Sequence, residues 1–169
     1  METLDAIRTR RSIRKFTSAA ISDELINKLL EAAMYAPSAR DTQPWHFIVV
    51  NQKDLLHKIP RIHPHANMVY EAPLAILICG DTFIESIPEY LAINCSAATQ
   101  NLLLAAHDLG LGGVWLGLYP RIERMEPLVR MFELPENIIP ISLVVIGYPN
   151  EKNETPERFK KSRIHFNKW

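Results

Sequence analysis

Cysteine is almost missing from this chain: Cys79 and Cys95 stand alone among 169 residues. With no CxxC pair and no metal-ligand spacing, neither a disulfide framework nor a structural zinc site has a basis, and two reduced, buried thiols are expected. Excess charge of either sign is also absent, since 19 lysines and arginines balance 19 aspartates and glutamates. That balance excludes a general binder of nucleic acid or of anionic membrane surfaces, which would spread basic excess over a whole face. No long hydrophobic run occurs. The longest stretch free of formal charge, Tyr90 to His107, holds Asn94, Ser96, Thr99, Gln100 and Asn101, so it reads as a buried helix rather than a membrane span. The Arg- and Ser-bearing start could be mistaken for a transit peptide, but Glu2 and Asp5 interrupt it and no apolar segment follows. A cytoplasmic location is the expectation.

Familiar catalytic signatures are lacking as well. No GxxxxGKS, GxxxxGKT, HExxH or GxSxG occurs, which leaves phosphate-loop, zincin and hydrolase-elbow chemistries without support. Glycine, six in all, gathers at 110–117. There GLGG looks like a dinucleotide-binding turn, yet that fingerprint follows a strand and opens a helix, and here the order is reversed. HPH at 63–65 offers two imidazoles in a proline-bearing loop with no third ligand, and reads as a surface turn.

What is present alternates regularly. Met1 to Thr9 predicts a short helix with acids ahead of its bases. SDELINKLLEAAMYAP predicts a helix capped by Ser22, with Asp23 and Glu24 in its first turn, Leu25, Leu29 and Ala33 along one face, and a stop at Pro37. Branched apolar runs at 46–50 and 74–80 predict strands, separated by a helix from Lys53 to Ile59 and an irregular HPHAN segment. Pro88 to Leu109 predicts a long helix closed by Gly110; a strand at 112–117, a helix from Glu123 to Phe132 and a strand at 141–147 follow, before a polar, basic and aromatic tail. Four strands and about as many helices indicate one domain over 1–169, α+β or mixed α/β, in three layers.

Against this neutral background, Arg8, Arg10, Arg11, Arg14 and Lys15 fall within eight residues. Guanidinium forks with a hydroxyl between them, as in RRSIR at 10–14, suit the oxygens of a phosphate; a solvated helix end is the plainer alternative. Lys160, Lys161 and Arg163 form a second basic group far along the chain. Two such groups can converge on one anion, and spacing alone leaves both readings open.

RRSIRKF near the start, APSARDTQPWHF after the second helix, NLLLAAHDLGLGGVWLG and the terminal KKSRIHFNKW together resemble the FMN-dependent nitroreductase family, in order and across nearly the whole chain. The resemblance implies a three-layer α-β-α sandwich with a mixed, mostly antiparallel sheet. It also implies an intertwined homodimer with FMN at the interface, and a C-terminal arm, about 150–169, crossing to the partner. It places Arg10 and Ser12 on the FMN phosphate and ribityl chain, joined by Lys161 and Arg163, with Arg11 on the pyrimidine or ribityl side. Arg14 falls at the flavin N1/C2 edge, where a fixed cation stabilises the charge left by reduction. Pro37, Ser38, Ala39, Asp41 and Gln43 belong to a loop reaching the flavin from the partner, braced by Trp45. Asp41 stands where the family usually has Asn, and an acid there disfavours the reduced ring unless turned away or paired with an arginine. Trp115, Leu116 and Gly117 would present backbone to flavin N5 and O4, and Asn67 would reach the pyrimidine edge. Packed inside a core strand, Trp115 would instead leave the site.

By the same resemblance the long helix lies at the dimer centre, with Asn94, Gln100 and Asn101 as satisfied polar groups, and Phe159, Phe166 and Trp169 lie across the other subunit. His46, His107 and His165 read as structural. The implied activity is ping-pong transfer of hydride from NADH or NADPH through FMN to an electron-poor acceptor such as a nitroaromatic or a quinone, with no catalytic side chain. The short interval between Gly117 and Ile141 predicts an open pocket. The alternatives are other flavin chemistry, such as reductive dehalogenation or flavin breakdown, and a non-enzymatic FMN carrier or sensor.

Overall fold

Two segments rich in Leu, Ile and Val are the inner strands of the computed structural model, which describes residues 1–169. The sheet contains β1 (Trp45–Val50), β2 (Leu74–Asp81), β3 (Gly112–Gly117) and β4 (Ile138–Gly147) in the order β1-β2-β4-β3. Every ladder is antiparallel. The mixed character expected from the sequence shrinks to one isolated parallel bridge, Ser12 to Gly113. Five helices accompany the sheet: α1 (Thr3–Thr9), α2 (Asp23–Met34), α3 (Lys53–Leu56), α4 (Pro88–Asp108) and α5 (Ile122–Met131).

The three layers follow from the two-residue period of the inner strands. Leu74, Ile76 and Ile78 join a core with Ile26 and Leu29 of α2 and Ala98 and Leu102 of α4. Ala75, Leu77 and Cys79 point the other way, into a core with Leu56, Val69 and Leu128. Burial on both faces explains why β2 is apolar at almost every position. The thiols lie one in each core, Cys95 and Cys79. Both are free, and burial pushes both up to about 12. No helix is long and apolar enough to cross a membrane.

Three elements differ from the sequence reading, each for a local reason. In α2, Ser22 Oγ accepts the Leu25 N–H at 3.3 Å as expected, but the buried stripe is Ile26, Leu29 and Ala33, and the helix ends at Met34. The predicted helix over 53–59 stops at Leu56, and Ile59–Arg61 forms a separate 3-10 turn containing Pro60, which has no N–H to donate. β4 begins three residues early at Ile138. Its Pro140 is tolerated because β3 pairs only from Ser142 onward, and the β2 register shifts opposite it, between Ile78 and Cys79.

Candidate functional site

The basic motif leaves α1 at Arg10, whose N–H donates to the Ala6 carbonyl at 3.0 Å before the chain turns extended. From there it runs along the free edge of β3. Ile13 N–H donates to Gly113 O at 3.1 Å and Thr17 N–H to Tyr148 O at 2.9 Å. Gly112 is required here, because a Cβ would lie 2.7 Å from Ile13. The segment after β4 clamps the motif: Glu151 accepts the N–H groups of Arg14 and Lys15, and Asn153 Nδ2 donates to Ser12 O at 2.9 Å. Arg11 commits its guanidinium to backbone carbonyls, Arg8 O at 2.7 Å, Glu154 O at 3.2 Å and Arg10 O. It therefore braces the tail against α1.

Arg10 stands between two cavities. One, of about 460 Å³, is lined by Arg8, Arg10, Arg11, Gln100 and residues 155–159. The other, of about 300 Å³, reaches His107, Gly112, Gly113 and Lys152. Burial, Arg11 and Arg158 together hold the Arg10 guanidinium below its ordinary value, though a group this basic stays charged. No carboxylate is ion-paired with the cluster: none of Arg8, Arg10, Arg11 and Arg158 is in a salt bridge. The acids nearby are engaged with backbone, Glu151 as above and Glu157 with the Phe159 N–H at 2.8 Å. Lys161 and Arg163 occupy an exposed 3-10 turn and line neither cavity. Arg158, which sequence reasoning missed, stands there instead; its only signal was its place three residues ahead of Lys161.

Along β3 the side chains of Val114 and Leu116 enter the core, so Leu116 can offer only backbone to a ligand. Trp115 is not packed inside, with 36% of its surface exposed. Because Gly113 turns its carbonyl to the free edge, alternation aims the Trp115 N–H and C=O and the Gly117 N–H the same way. None of them is used by backbone bonding outside the ladders. The Gly117 carbonyl is held by Arg124 Nη1 at 3.0 Å and by His63 Nε2 at 3.3 Å.

The surface-turn reading of HPH is corrected at its first residue, since His63 is buried and only His65 is exposed. His63 Nδ1 accepts the His65 N–H at 3.2 Å, which assigns the proton to Nε2 and makes the ring neutral. Burial, and after it the neighbouring Arg124, His65 and Arg121, hold it below its usual value against the opposing Gly117 bond. Asn67, itself exposed, opens the 3-10 turn that follows, Asn67–Tyr70, whose Val69 is buried.

The 37–43 loop lies at the other end of α4. Asn94 of α4 accepts the Ala39 N–H at 3.0 Å, Ser38 Oγ accepts the Gln43 N–H at 3.0 Å, and Gln43 Nε2 donates to Asp41 Oδ1 at 2.9 Å. Asp41 is thus paired with Gln43 and not with an arginine. Arg40, Asp41 and Gln43 all have positive φ, at 56°, 55° and 47°. None of the five principal cavities joins this loop to Arg10 within the chain. Asn101 donates to Ala32 O at 3.1 Å, whereas Gln100, expected as a satisfied polar group, borders the Arg10 cavity. His107 bonds Thr9 Oγ1 at 2.8 Å, His46 lies 3.4 Å from Asp81, and His165 stacks on Trp169.

Comparison with known proteins agrees with this architecture. The profile of the nitroreductase family matches residues 7–68 and 63–148. A protein of Methanothermobacter thermautotrophicus, named as an NADH dehydrogenase/NAD(P)H nitroreductase, is 51% identical over 169 residues, covering 100% of this chain and 88% of the relative. A crystal structure from Parabacteroides distasonis, described in the same words, superposes with a TM-score of 0.95 at 40% identity, covering 100% and 99% of the two chains. A Desulfovibrio desulfuricans nitroreductase solved in complex with FMN superposes at 0.86 with 29% identity, covering 100% and 98%. The chain belongs to the nitroreductase family.

Proposed function

We propose that this protein is an FMN-dependent NAD(P)H oxidoreductase that works as a homodimer and reduces electron-poor acceptors such as nitroaromatics or quinones. The observation that carries the reading is the cluster of Arg8, Arg10 and Arg158, none of them in a salt bridge, at one end of a partly unpaired backbone edge. The free groups of that edge, the Trp115 N–H and C=O and the Gly117 N–H, begin two residues beyond Gly113, whose C=O is taken by the Ile13 N–H. The donor set fits a flavin mononucleotide: cations for a phosphate at one end, backbone N–H groups for a heteroaromatic edge at the other.

Arg10 and Ser12 would hold the phosphate with Arg158, and Lys161 and Arg163 would join them once the arm packs across a second copy. Arg11 positions the arm. The Trp115 and Gly117 N–H groups would serve the ring edge, and the side-chain position of Gly117 is open space that a ligand can enter. Arg14, exposed and with only its backbone N–H bonded, would place a fixed cation beside the pyrimidine edge, with Asn67. Pro37, Ser38 and Ala39 would cover the ring from the neighbouring protomer. When bound, FMN supplies two-electron acceptance from a reduced nicotinamide and delivery to the acceptor. The chain's own groups bind, orient and stabilise negative charge, which is why no nucleophile or carboxylate dyad is needed.

The test is an absorption spectrum of the purified protein followed by anaerobic titration with NADH and with NADPH. A yellow protein bleached by either and recoloured by a nitroaromatic or a quinone is expected. A colourless protein that takes up no FMN overturns the cofactor assignment, and a yellow protein that neither nicotinamide bleaches is a carrier.

A further inference from the structure

Glu85 is the most deeply buried acid of the chain, and nothing in the reading above uses it. Its side chain exposes no surface. Oε1 accepts the Ile87 N–H at 3.1 Å and Oε2 accepts Arg40 Nη2 at 2.6 Å. These bonds, led by the Arg40 contact, hold the carboxyl below the usual range, so both oxygens act as charged acceptors. Arg40 lies largely in solvent, its guanidinium carbon 5.9 Å from the Tyr90 ring centroid.

The backbone of Arg40 gives this pair its significance. Arg40 is the first of the three positive-φ residues in the 38–43 turn, a conformation that non-glycine residues keep only where surrounding structure imposes it. Several bonds impose it, among them Ala39 to Asn94, Gln43 to Ser38, and Arg40 to Glu85, beside Gln43 to Asp41 and the backbone bonds Asp41 N–H to Ser38 O and Thr42 N–H to Ala39 O. The first two are neutral. The third is a charged pair with a buried member, an arrangement that contributes little net stability for its desolvation but selects one geometry sharply.

We infer that Glu85 is a positioning residue for FMN, holding through Arg40 the left-handed turn that presents Pro37, Ser38 and Ala39 to the flavin of the neighbouring protomer. The inference rests on the FMN reading above. Glu85→Gln keeps the shape but supplies one acceptor where two donors point, so either Arg40 or the Ile87 N–H loses its partner.

The experiment titrates FMN with the full-length apoprotein and follows quenching of flavin fluorescence, for wild type, Glu85→Gln, Arg40→Gln and the double variant. Each single variant is expected to weaken FMN by about tenfold or more, as for loss of a charge-assisted bond. The double variant should bind no worse than Glu85→Gln, and kcat at saturating FMN should be kept. Wild-type affinity in Glu85→Gln, or losses that simply add, overturns the inference. If Glu85→Gln does not fold, Glu85→Asp, which keeps the charge but shortens the reach, must also weaken FMN, and wild-type affinity there is equally fatal. Failure of the wild type to bind FMN instead removes the reading beneath it.

Discussion

Arg10 carries its charge where charge is disfavoured. Burial and two guanidinium neighbours press on it, and no carboxylate relieves it; an anion in the adjoining cavity would. Arg10→Ala is therefore expected to weaken FMN by roughly ten- to a hundredfold, the scale of a hydrogen bond to a charged group. Riboflavin, which lacks the phosphate, should bind wild type and variant alike; equal losses for both ligands would remove Arg10 from the phosphate. His63 leads to a prediction about pH. Its folded value is depressed, so as pH falls below about 6.5 the unfolded chain takes up a proton that the folded chain refuses, and stability declines with pH. Thermal unfolding at pH about 7.5 and about 5.5 should show a larger drop for wild type than for His63→Gln. Equal drops would assign the titration elsewhere, for instance to His107, which is also depressed. At this scale the sequence marked Arg10 but not Arg158 or His63. Nothing local to either distinguishes a residue folded against the site from one left in water.

Among elements, β2 and β4 carry the fold. Leu77 has no exposed surface and lies in the core between sheet and α5. Leu77→Ala should cost about 2–5 kcal/mol in urea unfolding; a loss near 0.5 kcal/mol, typical of a surface site, would mean that the layer repacks or is not a core. Strands and helices were legible because period and length agree with their setting, as in β3 at 112–117 and the 21-residue α4. Two boundaries were misjudged. The helix expected over 53–59 stops at Leu56, ahead of the turn that holds Pro60, and the strand expected from Ile141 begins at Ile138, with Pro140 placed where β3 no longer pairs.

For the whole molecule, the arginine cluster and the 37–43 loop stand apart in one chain. The arginines and the 37–43 loop attach near His107 and Asn94, thirteen residues apart on α4, which is about 20 Å along the helix. On α4, Ile93 is 62% exposed and Tyr90 45%; Leu4 and Ile7 of α1 are exposed too, as are Phe159, Phe166 and Trp169 of the arm. So much exposed apolar surface calls for a partner, and a second copy would also bring a loop to the arginines. Sedimentation should give a dimer. Ile93→Asp should shift it toward monomer and lower FMN affinity with it; a monomer that binds FMN as tightly as wild type would refute a shared site. The amino-acid sequence by itself determined the alternation of elements, the two-faced burial of the inner strands and the cationic start, because periodicity and charge are local properties. Only the tertiary structure decided that Arg158 meets Arg10, that His63 lies beneath Gly117 and that Glu85 grips Arg40. Those pairs are 148, 54 and 45 residues apart along the chain, and such distances close only when the sheet and α4 are packed.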